Sequence, residues 1–450
     1  MTGGYEPMIG EARALETLER ALGVKGADEV QSLLYAHRGG LTRFAESTIH
    51  QHTERADAGV EVRVIDAKRS GTVSTNRLDE SIPAAGSQAL EIARLSPPDE
   101  LFPGLPGDEG ASRIRSERFE EETATATPGW RAQRVAEAVR AAGERPAAGF
   151  FSTEEVEVAL ANTRGLRRYA RFSVASFTCL IRSGDGTAHH ESSAWRAGDL
   201  DLPLIVGELA GWADRGRGAE ALEPGAYPVV LMPLAVGGLM TYLGYMGFGA
   251  KDLLNGESFY VNRAGQQVAS ELLTIMDDVG HPASLGTPFD MEGVWRQRVK
   301  LIEKGVAAQP VHDTRTAAEA GARTTGHASG SNQFGPYAAN LVIEPGDRSF
   351  EELVGGLERG LLVPRFWYVN VVDQRETVLT GMTRDGLFEI ENGQVTRPLH
   401  NLRFTQNVLE ALEGCTGVGR DLHSTYSEWG SAVVPALRLE SFNFTSATTH

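Results

Sequence analysis

The sequence has little cysteine and fewer basic than acidic residues. Only Cys179 and Cys415 occur in 450 residues, with no CxxC spacing, which argues against a disulfide scaffold and fits a reducing cytoplasm. The chain carries 43 Lys and Arg against 60 Asp and Glu, a net charge of −17. Because such a charge repels phosphate backbones and anionic headgroups, the composition gives no support for binding nucleic acid or a membrane surface.

Several motifs that would assign a chemistry are also missing. No GxSxG elbow is present, and no GxGxxG or Walker sequence follows a predicted strand, so neither a serine hydrolase nor a nucleotide-binding protein is indicated. Cys179 lies in an alternating segment that predicts a strand residue rather than a nucleophile. Residues 1–23 have no basic region followed by an apolar block, so we expect no secretory signal and a cytoplasmic location.

A chain of this length is expected to form two domains. Alternating apolar residues predict four strands early in the chain, at residues 29–37, 41–46, 50–55 and 60–66. Helical periodicity predicts helices at residues 9–22, 83–95, 130–142, 351–360 and 405–412. The sequence predicts an α+β fold, with a mixed helical and antiparallel N-terminal domain over residues 1–215 and a β-rich C-terminal domain over residues 216–450. Asn392 and Gly393 predict a two-residue hairpin turn in the second domain.

One segment, residues 224–250, has no charged side chain and is long enough for the roughly 20 helical residues of a membrane span. Pro228 and Pro233 interrupt any continuous helix, and several glycines lower its helix propensity. We therefore interpret the segment as a buried strand at residues 228–232, a turn at Pro233 and a buried helix through Tyr245.

This segment is one of several, in the same order, that resemble the TldD/PmbA family. Residues 227–248, YPVVLMPLAVGGLMTYLGYMGF, are similar to the strand, turn and helix on which that family mounts a zinc-protease motif. Other matching segments are RFAESTIHQ (43–51), VEVRVIDAKRSGTVSTNRLD (60–79), PFDMEGV (288–294), TTGHA (324–328) and IENGQVTRPLHN (390–401). The resemblance covers almost the whole chain and is least diagnostic at residues 102–145.

In this family, TldD-type subunits carry HExxxH on the helix, whereas PmbA-type (TldE) subunits keep the helix without the metal ligands. The motif's positions fall here at about Thr241, Tyr242 and Met246, which cannot hold Zn²⁺ or deprotonate its bound water. The late cysteine ligand of TldD-type subunits has no counterpart in residues 417–435, and Cys415 lies just upstream in a predicted helix end. The resemblance implies that this chain has no catalytic residue and no metal, and that zinc resides on a partner subunit.

Five residues are candidates for facing a partner or a substrate. Leu239, Tyr242 and Tyr245 are large side chains on the predicted helix, of types enriched at interfaces, although a core helix would show the same pattern. Asp290 and Glu292 form an acidic cluster in a predicted loop, where capping of a turn is the alternative to substrate contact.

The run at residues 189–191, His-His-Glu, is the one place where potential metal ligands crowd together in the sequence. Adjacent residues of a strand point to opposite faces, so His189 and His190 cannot chelate one ion without distortion. We expect an exposed strand end here. His423 is expected to lie in a loop near an interface.

The resemblance implies a non-catalytic subunit of a heteromeric zinc metalloprotease that degrades or processes unfolded or small peptides. Its partners would be a TldD-like HExxxH subunit and a peptide or unfolded protein, with a homodimer possible in isolation. Two alternatives remain open: a stand-alone peptide-binding or scaffold protein in peptide maturation, and an enzyme with a diverged active site.

Overall fold

The computed structural model describes residues 8–79, 81–108, 110, 114, 118–331, 333–427 and 429–448. Six strands, β1 to β6, form the N-terminal sheet: Glu29–Ala45, Thr48–Asp66, Arg69–Thr75, Ala147–Asn162, Arg167–Ser183 and Gly186–Ala194. Their order across the sheet is β3-β2-β1-β4-β5-β6, and every neighbouring pair is antiparallel. Helices α1 to α5 accompany them at Glu11–Leu22, Ile82–Leu95, Glu121–Ala124, Pro128–Ala141 and Leu202–Arg215.

The two faces of this sheet are buried against different partners. Because side chains alternate along a strand, Phe177 and Cys179 of β5 cluster with α4 and α5, whereas Phe172 and Val174 cluster with Phe289 from the C-terminal half. Helices α1 and α2 cover β1 and β2 on the same face as α4 and α5. One face of the sheet thus carries the helices and the other face meets the rest of the chain.

Two further sheets make up the C-terminal half. The strands β7 to β21 run, in chain order, over Gly225–Leu231, Ile275–Asp277, Val299–Glu303, Val306–Ala307, Asn340–Ile343, Arg359–Val363, Phe366–Asp373, Val378–Thr383, Phe388–Glu391, Gln394–Pro398, Leu402–Asn407, Cys415–Val418, His423–Ser427, Gly430–Val434 and Leu437–Ala447. Six form a sheet of order β10-β9-β8-β11-β20-β19. Nine form the other, of order β13-β14-β17-β21-β7-β12-β15-β16, with β18 paired to β21.

Five helices, α6 to α10, accompany these sheets at Pro233–Met246, Ala250–Leu254, Thr314–Ala320, Phe350–Gly355 and Val408–Glu413. The largest buried cluster draws residues from both sheets and from α6. The α+β architecture with a β-rich second half is as predicted. The boundary at residues 215 and 216 stays a prediction; α5 ends at Arg215 and β7 begins at Gly225.

The four short strands predicted early in the chain are two long ones, β1 and β2, and two glycines explain the continuity of β1. The predicted break between residues 37 and 41 does not occur, because β1 continues through Gly39 and Gly40. A Cβ on Gly40 would lie 2.0 Å from Nη2 of Arg131, and one on Gly39 would lie 2.5 Å from Cγ of Glu154. These glycines make room for neighbouring side chains within a strand instead of forming a turn.

Two C-terminal helix predictions are wrong at one end. Residues 405–407 belong to β17, which lies between β14 and β21, and the helix starts only at Val408, where the Asn407 side chain accepts a hydrogen bond from the Glu410 amide. The other helix ends at Gly355, and β12 follows at Arg359. Pairing with neighbouring strands overrides local helix propensity in both places. The hairpin turn at Asn392 and Gly393, both at positive φ, is confirmed between β15 and β16.

Candidate functional site

Helix α6 is held between the two C-terminal sheets. Strand β7, parallel to β12 and antiparallel to β21, delivers the chain to Pro233 in the first turn of α6. A Cβ on Gly244 would lie 2.8 Å from Cδ1 of Leu341 and 2.9 Å from the carbonyl oxygen of Ala338, so the helix approaches β11 closely only with glycine there. Burial on several sides explains why the segment has no charge. Among the described residues, no helix is long and apolar enough to cross a membrane.

The three residues that the family resemblance predicts at the HExxxH positions make structural contacts. The Thr241 hydroxyl donates to the Gly237 carbonyl one turn earlier, at 3.0 Å, and the Tyr242 hydroxyl donates to the Val369 carbonyl of β13. Met246 is 1% exposed and packs in the largest core cluster. Thr241 thus stabilises a turn of α6, Tyr242 binds α6 to the edge strand β13, and Met246 packs α6 into the core.

The candidates on α6 differ in exposure. Leu239 is 1% exposed and lies in the core. For the single chain, the prediction that Leu239 faces a partner or a substrate is therefore wrong, because this position lies on the buried face of α6. Tyr242 is half-buried against the same cluster. Tyr245 is 42% exposed, and its ring contacts two other exposed aromatic rings, Phe334 at 6.2 Å and Trp429 at 5.4 Å between centroids.

Asp290 and Glu292 are buried turn residues. Asp290 Oδ1 accepts hydrogen bonds from the amides of Glu292 and Val294, and Oδ2 accepts one from the amide of Ala328. Glu292 Oε2 accepts hydrogen bonds from the Thr314 amide and hydroxyl. Burial, with the charge of Glu292, raises the pKa of Asp290. Turn capping therefore describes the contacts of Asp290, whereas Glu292 binds the first residue of α8.

His327 and Asp277 form a buried pair that no sequence pattern predicts. The His327 side chain, from the TTGHA segment, has Nε2 3.0 Å from Oδ1 of Asp277, and both side chains are 0% exposed. His327 Nδ1 is hydrogen-bonded to the Thr325 hydroxyl at 3.0 Å. Burial alone would raise the pKa of Asp277, but the close His327 imidazole, together with the charge of Arg296 and the Asn340 amide, outweighs it and lowers that pKa. An acidic residue 50 positions from a histidine gives no local signal in a single sequence.

Three histidines meet where the N-terminal sheet contacts the second half of the chain. The ring of His190 in β6 lies 5.3 Å from that of His423 in β19, edge to face. Nε2 of His423 is 2.6 Å from the Glu191 carbonyl oxygen. The expectation of an exposed strand end is wrong, because His189 and His190 are half-buried within β6 and pair with β5. Burial lowers the pKa of His189 to about 4 and that of His190 to about 3. His423 lies in a strand, not in a loop. Within the described ranges, no three His, Cys, Asp or Glu side chains are grouped to hold a metal ion.

Cys415 also differs from its expected place. It starts strand β18 instead of ending a helix, and it is 4% exposed. Burial raises the pKa of its thiol to about 11, so the thiolate that binds metals or attacks substrates is scarce near neutral pH.

Comparisons with known proteins agree with this architecture. Residues 224–446 match the family model described as the PmbA/TldA metallopeptidase C-terminal domain. The chain is 24% identical to the metalloprotease PmbA of Escherichia coli O157:H7 over 88% of each protein. It is 29% identical to a metalloprotease of Methanothermobacter thermautotrophicus, but over only 38% of this chain and 37% of that protein.

A solved structure extends the similarity to the whole fold. The crystal structure of TldE from Thermococcus kodakarensis superposes with a TM-score of 0.85, covering 97% of this chain and 100% of that one at 23% identity. Sequence segments in family order, the matched C-terminal domain and the shared fold lead to one conclusion: the chain belongs to the PmbA/TldD family.

Proposed function

We propose that this chain is the non-catalytic subunit of a heteromeric zinc metalloprotease of the TldD/TldE kind, active in the cytoplasm on unfolded or small peptides. The zinc would be bound by a TldD-like partner that carries HExxxH. The observation that carries this proposal is the use of Thr241, Tyr242 and Met246 as structural residues on α6.

The chemistry of those side chains supports the proposal. A catalytic zinc site needs imidazole, carboxylate or thiolate ligands and an open position for water. A threonine bonded within its helix, a tyrosine bonded to a sheet edge and a core methionine provide none of these. Restoring the motif would require removing three contacts that hold α6 in place.

The exposed end of α6 supports a role in pairing. Tyr245, Phe334 and Trp429 form a cluster of touching rings, each between 42% and 51% exposed. Aromatic side chains on a surface are enriched at protein interfaces. This cluster is our candidate for the surface that meets the partner.

Co-expression with the HExxxH-bearing homologue from the same source tests the proposal. Cleavage of unfolded casein would be measured for each chain alone, for the pair, and for a pair whose partner has Gln in place of the Glu of HExxxH. We expect cleavage only by the unmodified pair, and its loss with a chelator. Cleavage by this chain alone, or one metal ion per chain after purification without added zinc, would instead favour an enzyme with a diverged site.

The scaffold alternative gives a different outcome. A stand-alone peptide-binding protein would bind unfolded peptide without forming a complex with the homologue, and cleavage by the homologue would not depend on this chain. Size-exclusion chromatography of the mixture, followed by peptide-binding measurements on each fraction, separates the two.

A further inference from the structure

A cavity of about 230 Å³ lies between the two halves of the chain, beside His190 and His423. We name it the junction pocket. The residues that line it come from β6, from α5, from the start of α6, from β15 and β19, and from the loops that contain Pro364 and Asp385. Its apolar wall includes Ile205, Leu209, Trp212, Met232, Leu234 and Phe388. Pockets with mainly apolar walls and a few polar groups, set at a junction between domains, are typical of small-ligand sites.

The volume and the apolar walls of the junction pocket indicate a ligand with a single aromatic ring. An apolar cavity of about 150 Å³ is large enough to bind benzene, so the junction pocket can take a ring with one or two substituents. The rings of Trp212 and Phe388 lie 5.3 Å apart at 55°. Aromatic side chains at such angles offer faces and edges to a further ring.

The polar side chains of the pocket wall determine which polar group a bound aromatic ring must carry. His423 Nε2 lies 2.6 Å from the Glu191 carbonyl oxygen, and a carbonyl can only accept, so Nε2 carries the proton. Since burial lowers the pKa of His423, the neutral ring then has an unprotonated Nδ1, which is an acceptor. No described residue provides a hydrogen bond to this Nδ1. A ligand suited to it must donate a hydrogen bond, which a carboxylate cannot do.

Charge at the pocket favours a neutral ligand. His189 and His190 are uncharged near pH 7, because burial lowers the pKa of each. Asp385 is already satisfied by Nε of Arg365 at 2.8 Å and the Thr187 hydroxyl at 3.0 Å. Glu208 also lines the pocket, but its side chain is exposed to solvent. The wall therefore presents no free positive charge for an anion and no unpaired buried carboxylate for a cation.

From these observations we propose that the junction pocket binds a phenol, with the ring against Trp212 and Phe388 and the hydroxyl donating to Nδ1 of His423. This site is separate from the protease role proposed above and does not depend on it. The same chemistry is offered by a free phenol and by a tyrosine side chain of a peptide.

Calorimetric titration of the full chain at pH 7.5 with p-cresol, toluene and 4-methylanisole tests the chemistry. The three share a ring and a methyl group, but only p-cresol can donate a hydrogen bond. We expect p-cresol to bind saturably and at least tenfold more tightly than the other two. Titration with N-acetyl-L-tyrosinamide then identifies the source: affinity equal to that of p-cresol assigns a tyrosine side chain, and weaker binding assigns a free phenol.

Two substitutions test the location. Ile205→Trp fills the pocket from α5 and should weaken p-cresol binding at least tenfold, whereas Leu204→Trp, at a 58% exposed neighbour, should not. His423→Phe should remove the preference for p-cresol over toluene. Melting temperatures of the variants check the fold. If His423→Phe unfolds the protein, the comparison of Ile205→Trp with Leu204→Trp still tests whether p-cresol binds in the junction pocket. Equal binding of p-cresol and toluene to the unmodified chain, no saturable binding, or undiminished binding to a folded Ile205→Trp variant would overturn the proposal.

Discussion

The imidazole of His327 lies 3.0 Å from the carboxylate of Asp277 with no solvent exposure of either side chain. Asp277 belongs to β8 and also accepts a hydrogen bond from the Asn340 amide of β11 through Oδ2, at 2.8 Å. The pair therefore joins the TTGHA segment to two adjacent strands of the six-stranded C-terminal sheet.

Removing one partner of this pair should be costly. His327→Ala removes the side chain that lies 3.0 Å from a fully buried carboxylate, so we expect a loss of about 3–5 kcal/mol in the free energy of unfolding. Arg263→Ala, which breaks the exposed pair with Glu376, should change it by less than about 1 kcal/mol. Urea unfolding of both variants measures the difference. Equal small losses would mean that the buried pair contributes little.

Two glycines of α6 should respond in opposite directions to alanine. Gly244→Ala places a Cβ 2.9 Å from a backbone oxygen of residue 338, so we expect destabilisation by about 1–3 kcal/mol. Gly238→Ala meets no atom within 4 Å and should stabilise the helix by up to about 1 kcal/mol. Thermal unfolding of the two variants compares them. A stabilising Gly244→Ala would contradict the close packing of α6 on β11.

Acid should destabilise the protein through His190. Burial, with the neighbouring His423 and His189, lowers its pKa to about 3, whereas an unfolded histidine titrates near about 6.5. On acidification the unfolded chain binds the proton first, so the stability contribution is complete above about pH 6.5 and is lost as the pH falls towards about 3.

Replacing His190 should flatten this dependence. In His190→Gln, the slope of the free energy of unfolding between about pH 6.5 and 4 should fall by up to about 1.4 kcal/mol per pH unit. His50→Gln, at an exposed position of β2, serves as the control and should keep the slope of the unmodified chain. Urea unfolding at several pH values measures the slopes, and identical slopes in all three proteins would show that His190 does not titrate as described.

The proposed pairing surface makes a prediction about complex formation. Tyr245→Glu puts a charge into the exposed aromatic cluster, so co-purification with the HExxxH subunit should drop at least tenfold while the melting temperature of the single chain stays within a few degrees. Leu204→Glu, on the exposed side of α5, should not affect pairing. Undiminished pairing by a folded Tyr245→Glu variant would move the interface elsewhere.

Local patterns in the sequence predicted much of the fold. Apolar periodicity placed α1, α2 and α4 within about two residues of their ends, and the asparagine–glycine pair placed the β15–β16 turn, because these signals act over a few neighbouring residues. The same local rules failed at Gly39 and Gly40, where glycine makes room for Arg131 and Glu154. They also failed at residues 405–407, where strand pairing prevails.

The sequence by itself determined the antiparallel first half, the β-rich second half and the family resemblance, and it predicted which residues stand at the HExxxH positions. Only the tertiary structure decided that Leu239 is buried while Tyr245 is exposed, that Glu292 binds Thr314, and that Asp277 meets His327. It also brought His423 to the carbonyl of Glu191, 232 residues away. Periodicity and motifs are properties of adjacent residues, whereas burial, pKa shifts and pockets depend on which distant elements pack together, and no local pattern encodes that.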